Sequence, residues 1–397
     1  MGYSSMLHVA IPMLAIAITV LIAPLFLDLT LALVGNLVRR PAAHGATGNS
    51  IRLAVIVPAH DEEQMIARMI ASLLAADHAT PVFVVAHNCS DCTAAEAAKA
   101  GARVLELANT SLRGKGAALR HGFQAAAAEG VNAFLIVDAD SVVSANAIAA
   151  TRAALEQGAP ATQCRYELEL PSTGPVRPMA RLRVLAFRGM NVLRARGRAA
   201  LGFSCGLFGN GFALTAETLA RVPFTADSIA EDLEYHTKLA CEGMRVRWVE
   251  EASVYAPLSH PGKARAHQEA RWSGGRFSVA RLTTFRLLAA ILRGRFRACE
   301  TLAEVWSIPL SLGILSLIVA ATLPVYWLRE YAAVCAVITL LYVIEAALIG
   351  NDPVRDLNAL AVAPLYLAWK AAITPLVLIQ SRRHAAWVRT KREVPKP

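Results

Sequence analysis

The chain has few charged residues: Asp, Glu, Lys and Arg make up 18% of its 397 residues, against about 25% in soluble domains. Hydrophobic residues reach 55%, and the surplus lies at the two ends of the sequence. This composition argues against two ordinary soluble domains and favours one catalytic domain with several membrane segments. The formal net charge of +10 is carried by arginines clustered among long apolar residues, a pattern typical of a membrane-facing surface rather than of a nucleic-acid partner.

A cysteine framework is also missing. The seven cysteines are odd in number and scattered, so they predict no set of disulfides and favour a reducing, cytoplasmic environment. Cys89 and Cys92 form one C-x-x-C pair without a second pair nearby. This argues against a zinc site and leaves thiol redox chemistry as the alternative role of the pair.

The N-terminal apolar run, from about Leu7 to Leu33, has Asp28 as its one charge and exceeds the roughly 20 residues that span a bilayer. Neither a basic segment before it nor a small-residue cleavage site after it is present, so we expect an anchor rather than a signal peptide. Arg39 and Arg40 follow the run. The positive-inside rule then puts the next domain in the cytoplasm.

The C-terminal part contains three more apolar segments, at about Val305–Leu328, Tyr331–Ile349 and Leu357–Ile379. The first two are predicted spans joined by a tight turn at Arg329 and Glu330. The third holds two prolines and a lysine. If it spans, the basic tail lies outside, against the positive-inside rule; if it is broken or interfacial, the tail stays inside beside anionic lipid. Both alternatives stay open.

Between Ile51 and about Pro257, short apolar runs alternate with alanine-rich helical stretches. The alternation predicts a largely parallel sheet, in which ligands bind at the carboxyl ends of the strands. The predicted strands are Leu53–Val57, Val82–Ala86 and Ala133–Val137, and the predicted helices are Glu63–Ala75, Thr93–Ala100 and Ala117–Ala127.

Polar segments follow the first two predicted strands. P-A-H-D-E-E (58–63) comes after the first strand, where Pro58 is expected to end the strand and the acidic pair to open the next helix. H-N-C-S-D-C-T (87–93) comes after the second strand. Each segment is equally compatible with a plain helix start or cap. R-G-K-G (113–116) lacks the spacing and the Ser or Thr of a P-loop, but Lys115 and the backbone amides there can hold a phosphate.

Asp138 and Asp140 directly follow the apolar run at 134–137. Two carboxylates one residue apart repel each other unless a cation joins them, and a hard divalent ion also bridges a carboxylate to a diphosphate. The sequence therefore predicts a metal site at Asp140. Farther on, Gly209, Asn210 and Gly211 predict a tight turn near an acceptor.

Two later segments each have two interpretations. Glu231 and Asp232 either begin a helix as part of a capping box with Ser228, or Asp232 is a general base that deprotonates a sugar hydroxyl. Q-E-A-R-W (268–272) lies in an arginine-rich stretch that a basic amphipathic helix on the membrane surface explains for the most part. Such a helix does not explain why Gln268, Arg271 and Trp272 occur together.

In this order, P-A-H-D-E-E, N-C-S-D, R-G-K-G, D-A-D, E-D and Q-E-A-R-W resemble the motifs of membrane-bound family 2 glycosyltransferases, which include cellulose, hyaluronan and chitin-oligomer synthases and glycolipid synthases. The resemblance covers residues 51–272. It implies an α/β catalytic domain of the Rossmann-like GT-A fold with N-terminal and C-terminal transmembrane helices. It further implies a hexosyltransferase with an inverting mechanism, a UDP-sugar donor, and Mg²⁺ or Mn²⁺ as cofactor.

The resemblance also implies roles for individual residues of this chain. The expected nucleotide-sugar-binding residues are Pro58, His60, Glu62, Asn88, Asp91, Lys115 and Asp138, with Asp140 as metal ligand. The expected catalytic residues are Asp232, Gln268, Arg271 and Trp272, and the acceptor residues are Gly209, Asn210, Gly211 and Glu231. Relatives carry an acidic residue after the second strand, where this chain has His87 and Asn88. Hence either Asn88 or Asp91 reads the base, or the donor is not a UDP-sugar.

The predicted organisation is an anchor at 1–40, a GT-A domain at 51–260, basic interfacial helices at 261–300, a membrane region at 301–380 and a basic tail at 381–397. The predicted function is transfer of a sugar to a lipid or lipid-linked glycan acceptor in a bacterial inner membrane, for glycolipid or exopolysaccharide synthesis. A processive polysaccharide or oligosaccharide synthase is the alternative. A non-catalytic membrane scaffold with a degenerate fold is the alternative from another class.

Overall fold

A computed structural model of the chain describes residues 2–38, 50–112, 114–171, 175–226, 228, 230–258 and 263–380. Within these ranges, the side chains of 2–8, 263–272 and 376–380 are not described. Arg39 and Arg40, which carry the orientation prediction, lie outside the described residues. So do Arg113 of the R-G-K-G segment and the basic tail.

The described part of the domain contains one sheet of eight strands in the order β3-β2-β1-β4-β7-β6-β8-β5. The strands are β1 (Leu53–Ala59), β2 (Val82–His87), β3 (Arg103–Leu107), β4 (Ala133–Ile136), β5 (Val142–Val143), β6 (Ala161–Glu169), β7 (Phe212–Thr215) and β8 (Val246–Pro257). The three strands predicted from the sequence are therefore present, as β1, β2 and β4.

The sheet is parallel in its first half only. β3, β2, β1 and β4 run in the same direction, whereas β7 is antiparallel to both β4 and β6. The prediction of a largely parallel sheet is thus correct for the first four strands, and the second half is mixed. Pro58 does not end β1, which continues to Ala59. Pro58 pairs with Val85 of β2. The pairing of β1 with β4 ends two residues earlier, at Ile56.

The helices and helical turns are α1 (Gly2–Val38), α2 (Ile66–Ala76), α3 (Thr93–Lys99), α4 (Lys115–Ala128), α5 (Ala147–Glu156), α6 (Pro178–Arg188), a π-helical turn (Gly189–Leu193), α7 (Arg194–Ala200), α8 (Ala216–Arg221), α9 (Glu231–Cys241), α10 (Lys263–Leu292), α11 (Ala298–Trp306), α12 (Leu310–Thr322), α13 (Tyr326–Leu348), α14 (Pro353–Asn358), a 3-10 turn (Ala359–Val362) and α15 (Ala363–Gln380).

The central strands are buried on both faces. One face packs against α2 and α5, and the other packs against α4 and α9. This is why β1, β2 and β4 read as continuous apolar runs rather than as an alternation. α4 lies so close to β1 that a Cβ at Gly122 would be 2.6 Å from Cγ2 of Ile56.

Three described helical segments are long and apolar enough to cross a membrane: Val9–Val38, Tyr326–Leu348 and Pro353–Pro375. α11 and α12 are bent by 69° relative to each other, and together form a broken span or a re-entrant loop. The turn predicted at Arg329 and Glu330 is wrong, because both residues lie inside α13. The break comes earlier, around Pro324, whose missing N–H and ring do not allow α12 to continue.

The second half of α1 packs directly on the catalytic domain. A Cβ at Gly197 of α7 would collide with the carbonyl oxygen of Ala32, and one at Gly35 would collide with that of Gly197. Asp28, only 6% exposed, accepts a hydrogen bond from Arg194 at 3.1 Å. Asp28, the one charge in the first predicted membrane segment, therefore forms an ion pair with Arg194 of the domain.

Substituting Gly197 by leucine is expected to push α7 away from α1 and to lower the free energy of unfolding by about 1–3 kcal/mol. The thermal unfolding midpoint of detergent-purified protein measures this loss. Ala200→Leu, three residues along the same helix at a half-buried position, is the matched control. Equal midpoints for the two variants would contradict the close contact between α1 and α7.

Candidate active site

The polar segments singled out in the sequence meet where β4 ends and β7 begins. β4 and β7 are antiparallel neighbours in which Ile136 pairs with Phe212. This register places the D-A-D segment (138–140), which follows β4, beside the glycine turn (209–211), which precedes β7. Residues some seventy positions apart in the sequence are thus brought to one end of the sheet.

Lys115, the first residue of α4, connects these two segments. Its Nζ lies 2.5 Å from Oδ1 of Asp138, and it also donates to the carbonyl oxygen of Gly209. Burial acts to lower the pKa of Lys115, but the carboxylates of Asp138, Glu231 and Asp232 outweigh it and raise that pKa. The amine therefore stays charged at the centre of the site.

The side chain of Asn210 stabilises the D-A-D turn through two hydrogen bonds. It is 1% exposed, its Oδ1 accepts from the backbone N–H of Asp138 at 3.0 Å, and its Nδ2 donates to the Ser141 hydroxyl at 2.8 Å. The Asn210 side chain is thus buried and used within the turn, and the acceptor role of the glycine turn stays a prediction. Gln163, which the sequence did not indicate, donates to the Asn210 carbonyl oxygen at 2.8 Å.

The Asp232 carboxylate lies beside the glycine turn. Its Oδ2 is 3.3 Å from the position of a Cβ at Gly209, which has a φ of +76°. A side chain at Gly209 would therefore be strained and would press on this carboxylate. Oδ1 of Asp232 accepts from the backbone N–H of Leu233 at 2.8 Å, which fixes the carboxylate at the start of α9.

The structure does not contain the capping box that Ser228 and Glu231 were considered to form. α9 is preceded by Ala230, without a side-chain capping bond, and the buried hydroxyl of Ser228 has no hydrogen-bond partner among the described residues. Instead, the backbone N–H of Ser228 donates to Glu234 at 3.3 Å. The acids at 231 and 232 are therefore available for another role.

Both acids have a raised pKa, chiefly because they are buried. Burial, together with the neighbouring Asp232 carboxylate, raises the pKa of Glu231. Burial also raises the pKa of Asp232, while Lys115 and Arg276 oppose the rise. A cation bound nearby would favour the ionised forms of these acids.

Asp140 offers a carboxylate for such a cation. It follows β4 at the same end of the sheet, is 4% exposed, and lies beside the Ser141 hydroxyl at 3.4 Å. Carboxylate oxygens are the ligands that Mg²⁺ and Mn²⁺ prefer. The buried carboxylate at this position therefore fits a divalent cation.

The loops after β1 and β2 are tied together at this end of the sheet. Nδ1 of His60 lies 2.8 Å from the His87 carbonyl oxygen, and the backbone N–H of Glu62 donates to the Thr93 hydroxyl at 2.7 Å. The acidic pair at 62–63 does not open α2, which begins at Ile66. Its backbone joins the two loops instead, since Glu63 N–H donates to Asp91 at 3.1 Å.

The two residues expected to read the base are engaged with the protein backbone. Oδ1 of Asn88 accepts from Asn109 N–H at 2.8 Å, and its Nδ2 donates to the Asn109 carbonyl at 3.0 Å. Oδ1 of Asp91 accepts from Thr93 N–H at 3.0 Å, as in an Asx turn. Asn88 also has a φ of +52°. These contacts shape the loops, and a role in base recognition stays a prediction.

α10 contains positions 268, 271 and 272 of the Q-E-A-R-W motif, whose side chains lie outside the described residues. One turn later on the same helix, Arg276 is half-buried and donates to the Glu304 carbonyl oxygen at 3.0 Å. Its charge acts on Asp232. The sequence analysis assigned Arg276 to the arginine-rich stretch that a membrane-surface helix explains. The residues around Arg276 do not differ in pattern from those around the other arginines of that stretch.

Tyr166 of β6 is a second residue that the sequence did not indicate. Its ring packs edge-on against Phe187 with centroids 5.0 Å apart. Burial raises the pKa of its hydroxyl, and the carboxylates of Asp138 and Asp232 raise it further. Both carboxylates are therefore within electrostatic reach of this phenol.

The sequence model of the family described as "Glycosyltransferase like family 2" matches residues 51–275. No curated protein gives a significant sequence match. Among solved structures, the chain is similar to the mannosyltransferase PcManGT from Pyrobaculum calidifontis in complex with GDP-Man and Mn²⁺, with 19% identity, a TM-score of 0.51, and coverage of 93% of this chain and 96% of that one. The expected α/β fold of GT-A type is thereby confirmed.

Two further solved structures are similar at lower TM-scores. S. aureus TarS in complex with UDP-GlcNAc has 16% identity and a TM-score of 0.45, covering 74% of this chain and 88% of that one. Glucosyl-3-phosphoglycerate synthase from Mycobacterium tuberculosis in complex with Mn²⁺, UDP and phosphoglyceric acid has 21% identity and a TM-score of 0.40, covering 60% and 79%.

Proposed function

Because the chain belongs to glycosyltransferase like family 2, we propose that it transfers a sugar, with inversion, from a nucleotide-sugar donor to a lipid or lipid-linked glycan held in the membrane. The observation that carries this proposal is the cluster around Gly209. Lys115 and Asp138 meet there at 2.5 Å, and the Asp232 carboxylate lies beside Gly209.

Lys115 and Asp232 have complementary tasks in this proposal. Negative charge develops on the diphosphate as the bond from the anomeric carbon to its oxygen breaks, and the Lys115 amine stabilises that charge. Asp232 accepts the proton of the acceptor hydroxyl, whose oxygen forms the new bond from the opposite face. Asp140 would hold a divalent cation, which would supply additional charge neutralisation for the diphosphate.

The environment of Asp232 suits a base. Its raised pKa makes it a stronger proton acceptor than an exposed aspartate, and Lys115 and Arg276 favour the ionised form that is needed before the reaction. Glu231, at the adjacent position, is assigned to the acceptor side. Its raised pKa allows it to donate a hydrogen bond to an acceptor oxygen.

The membrane acceptor is supported by the way α1 is attached. Its apolar segment Val9–Val38 is long enough to cross a bilayer, and its second half is fixed to the domain through Asp28, Arg194 and the Gly35–Gly197 contact. The active site is thus held at a constant position relative to the membrane. We assign the domain to the cytoplasmic side of a bacterial inner membrane, as the arginines after α1 indicate.

Two other functions make different predictions. A processive synthase adds many sugars and needs a channel for the product, for which three spans, or four with the bent pair, are few. A non-catalytic scaffold needs none of Lys115, Asp138, Asp140 and Asp232, yet the chain has all four. We therefore favour transfer of a single sugar.

Nucleotide release by the full chain in detergent tests the proposal. The panel contains UDP-sugars and GDP-mannose, each with Mg²⁺ or Mn²⁺, with and without membrane lipid extract. We expect release from one donor class that requires metal and rises with lipid. Absence of release from every donor, with nucleotide binding intact, would favour the scaffold. A product ladder in place of one added sugar would favour the processive synthase.

A further inference from the structure

A basic groove that has no part in the proposed reaction lies between α9 and the C-terminal half of α10. Its volume is about 550 Å³. The described residues that line it include five basic side chains and one acidic side chain, namely Arg221, Lys238, Arg286, Arg293, Arg295 and Glu242. We call this feature the α9–α10 groove.

Part of this charge is compensated within the protein. Lys238 pairs with Glu234 at 2.7 Å, and Arg295 and Arg221 lie 2.9 and 3.7 Å from Glu242. Arg286 and Arg293 have no carboxylate within ion-pair distance in the part of the chain that the structure describes. Two guanidinium groups about two turns apart on one helix face are therefore available to a ligand.

An apolar surface borders the groove on the same helix. Leu282, Phe285 and Leu292 are 68%, 81% and 88% exposed. Because successive helical residues turn by about 100°, these three side chains share one face, adjacent to the face of Arg286 and Arg293. Phe285 belongs to both surfaces, since it also lines the groove. Cationic and apolar faces side by side on a helix are typical of contact with anionic lipid.

A candidate membrane segment packs against this helix. α10 packs against α11 and α15, and α15 contributes to the candidate span Pro353–Pro375. The groove is also separate from the catalytic centre, because Asp232 lies at the first turn of α9 and Cys241 of the groove at its last residue. Nine residues of helix correspond to about 14 Å.

We propose that the α9–α10 groove binds the phosphate head group of an anionic membrane phospholipid other than the acceptor. Arg286 and Arg293 contact the phosphate oxygens, since guanidinium groups bind phosphate through paired N–H donors. The acyl chains lie against Leu282, Phe285 and Leu292. The lipid would thereby fix the orientation of α10, the helix that also carries Arg276 and the Q-E-A-R-W motif.

Binding of fluorescent phosphatidylglycerol to the detergent-purified full chain tests the proposal. We expect unlabelled phosphatidylglycerol to displace it at much lower concentration than phosphatidylcholine. Arg286→Gln and Arg293→Gln are each expected to weaken binding about fivefold, the effect of roughly one surface cation on anionic lipid. Arg281→Gln removes the same charge from α10 outside the groove and should leave the affinity unchanged.

Three outcomes would overturn the proposal. Competition by phosphatidylcholine as strong as that by phosphatidylglycerol would exclude recognition of the anionic head group. Equal weakening by Arg281→Gln would show an unspecific charge effect. Displacement by sn-glycerol 3-phosphate at the same concentration as the lipid would assign the groove to a soluble phosphate ligand. Since all variants are at exposed positions, their thermal unfolding midpoints should match the wild type and exclude misfolding.

Discussion

Asp232→Asn is expected to lower the rate of sugar transfer by about 10²–10⁴, the usual contribution of a general base, while donor binding stays close to wild type. Asparagine has the same shape as aspartate, and its Oδ1 still accepts from the backbone N–H of Leu233. The start of α9 is therefore preserved. What is lost is the ability to take a proton from the acceptor hydroxyl.

Transfer of a radiolabelled sugar measures the first quantity, and calorimetric titration with the nucleotide product measures the second. Glu234→Gln is the matched control, because it removes a carboxylate two residues along α9 that pairs with Lys238 instead of facing the site. Glu231→Gln distinguishes the two adjacent acids. Loss of transfer in Glu231→Gln with near-normal turnover in Asp232→Asn would move the base to Glu231.

Three of the four parallel strands were predictable because they are buried on both faces, whereas β3 is partly exposed and was not predicted. β1, β2 and β4 appear in the sequence as apolar runs followed by polar segments, and the structure places them accordingly. The second half was not predictable in this way. β6 and β8 carry charged residues such as Arg165 and Glu250, which pair with each other across the sheet at 3.1 Å and remove the apolar signal.

The candidate site likewise has a part that was predictable from the sequence and a part that was not. Lys115, Asp138 and Asp232 were predicted from short motifs, because each motif lies at an element end where side chains meet ligands. Their mutual distances depend on the antiparallel pairing of β4 with β7, which no motif contains. Arg276 and Tyr166 were missed because a single arginine in a basic helix, or a tyrosine in a strand, has no local signal that points to a site.

The contact between α1 and the domain could not be predicted from the sequence for a different reason. A single aspartate in a membrane segment predicts a partner, but the partner lies 166 positions away in α7. Gly35 and Gly197 also give no signal in the sequence. Because they have no side chains, α1 and α7 approach each other closely at these positions. Such contacts follow from tertiary packing, which local pattern does not determine.

Asp140→Asn is expected to lower metal-dependent transfer by about 10²–10³, as removal of one electrostatic contact to a developing charge does. The carboxylate is 4% exposed at the end of β4, in a site where Glu231 has a raised pKa because it is buried beside other carboxylates. Asparagine removes one negative charge and with it the strongest oxygen ligand at this position. The apparent affinity for the cation should fall together with the rate.

Titration of nucleotide release with Mn²⁺ measures both effects in one experiment. For Asp140→Asn we expect half-maximal activity at a much higher Mn²⁺ concentration, together with a lower maximal rate. Glu217→Gln, which removes an exposed carboxylate at the start of α8, should change neither. If Asp140→Asn kept the wild-type Mn²⁺ dependence and lost only rate, the metal ligand would have to be sought elsewhere. The remaining carboxylate at this end of β4 is Asp138, and its contact with Lys115 would then have to open.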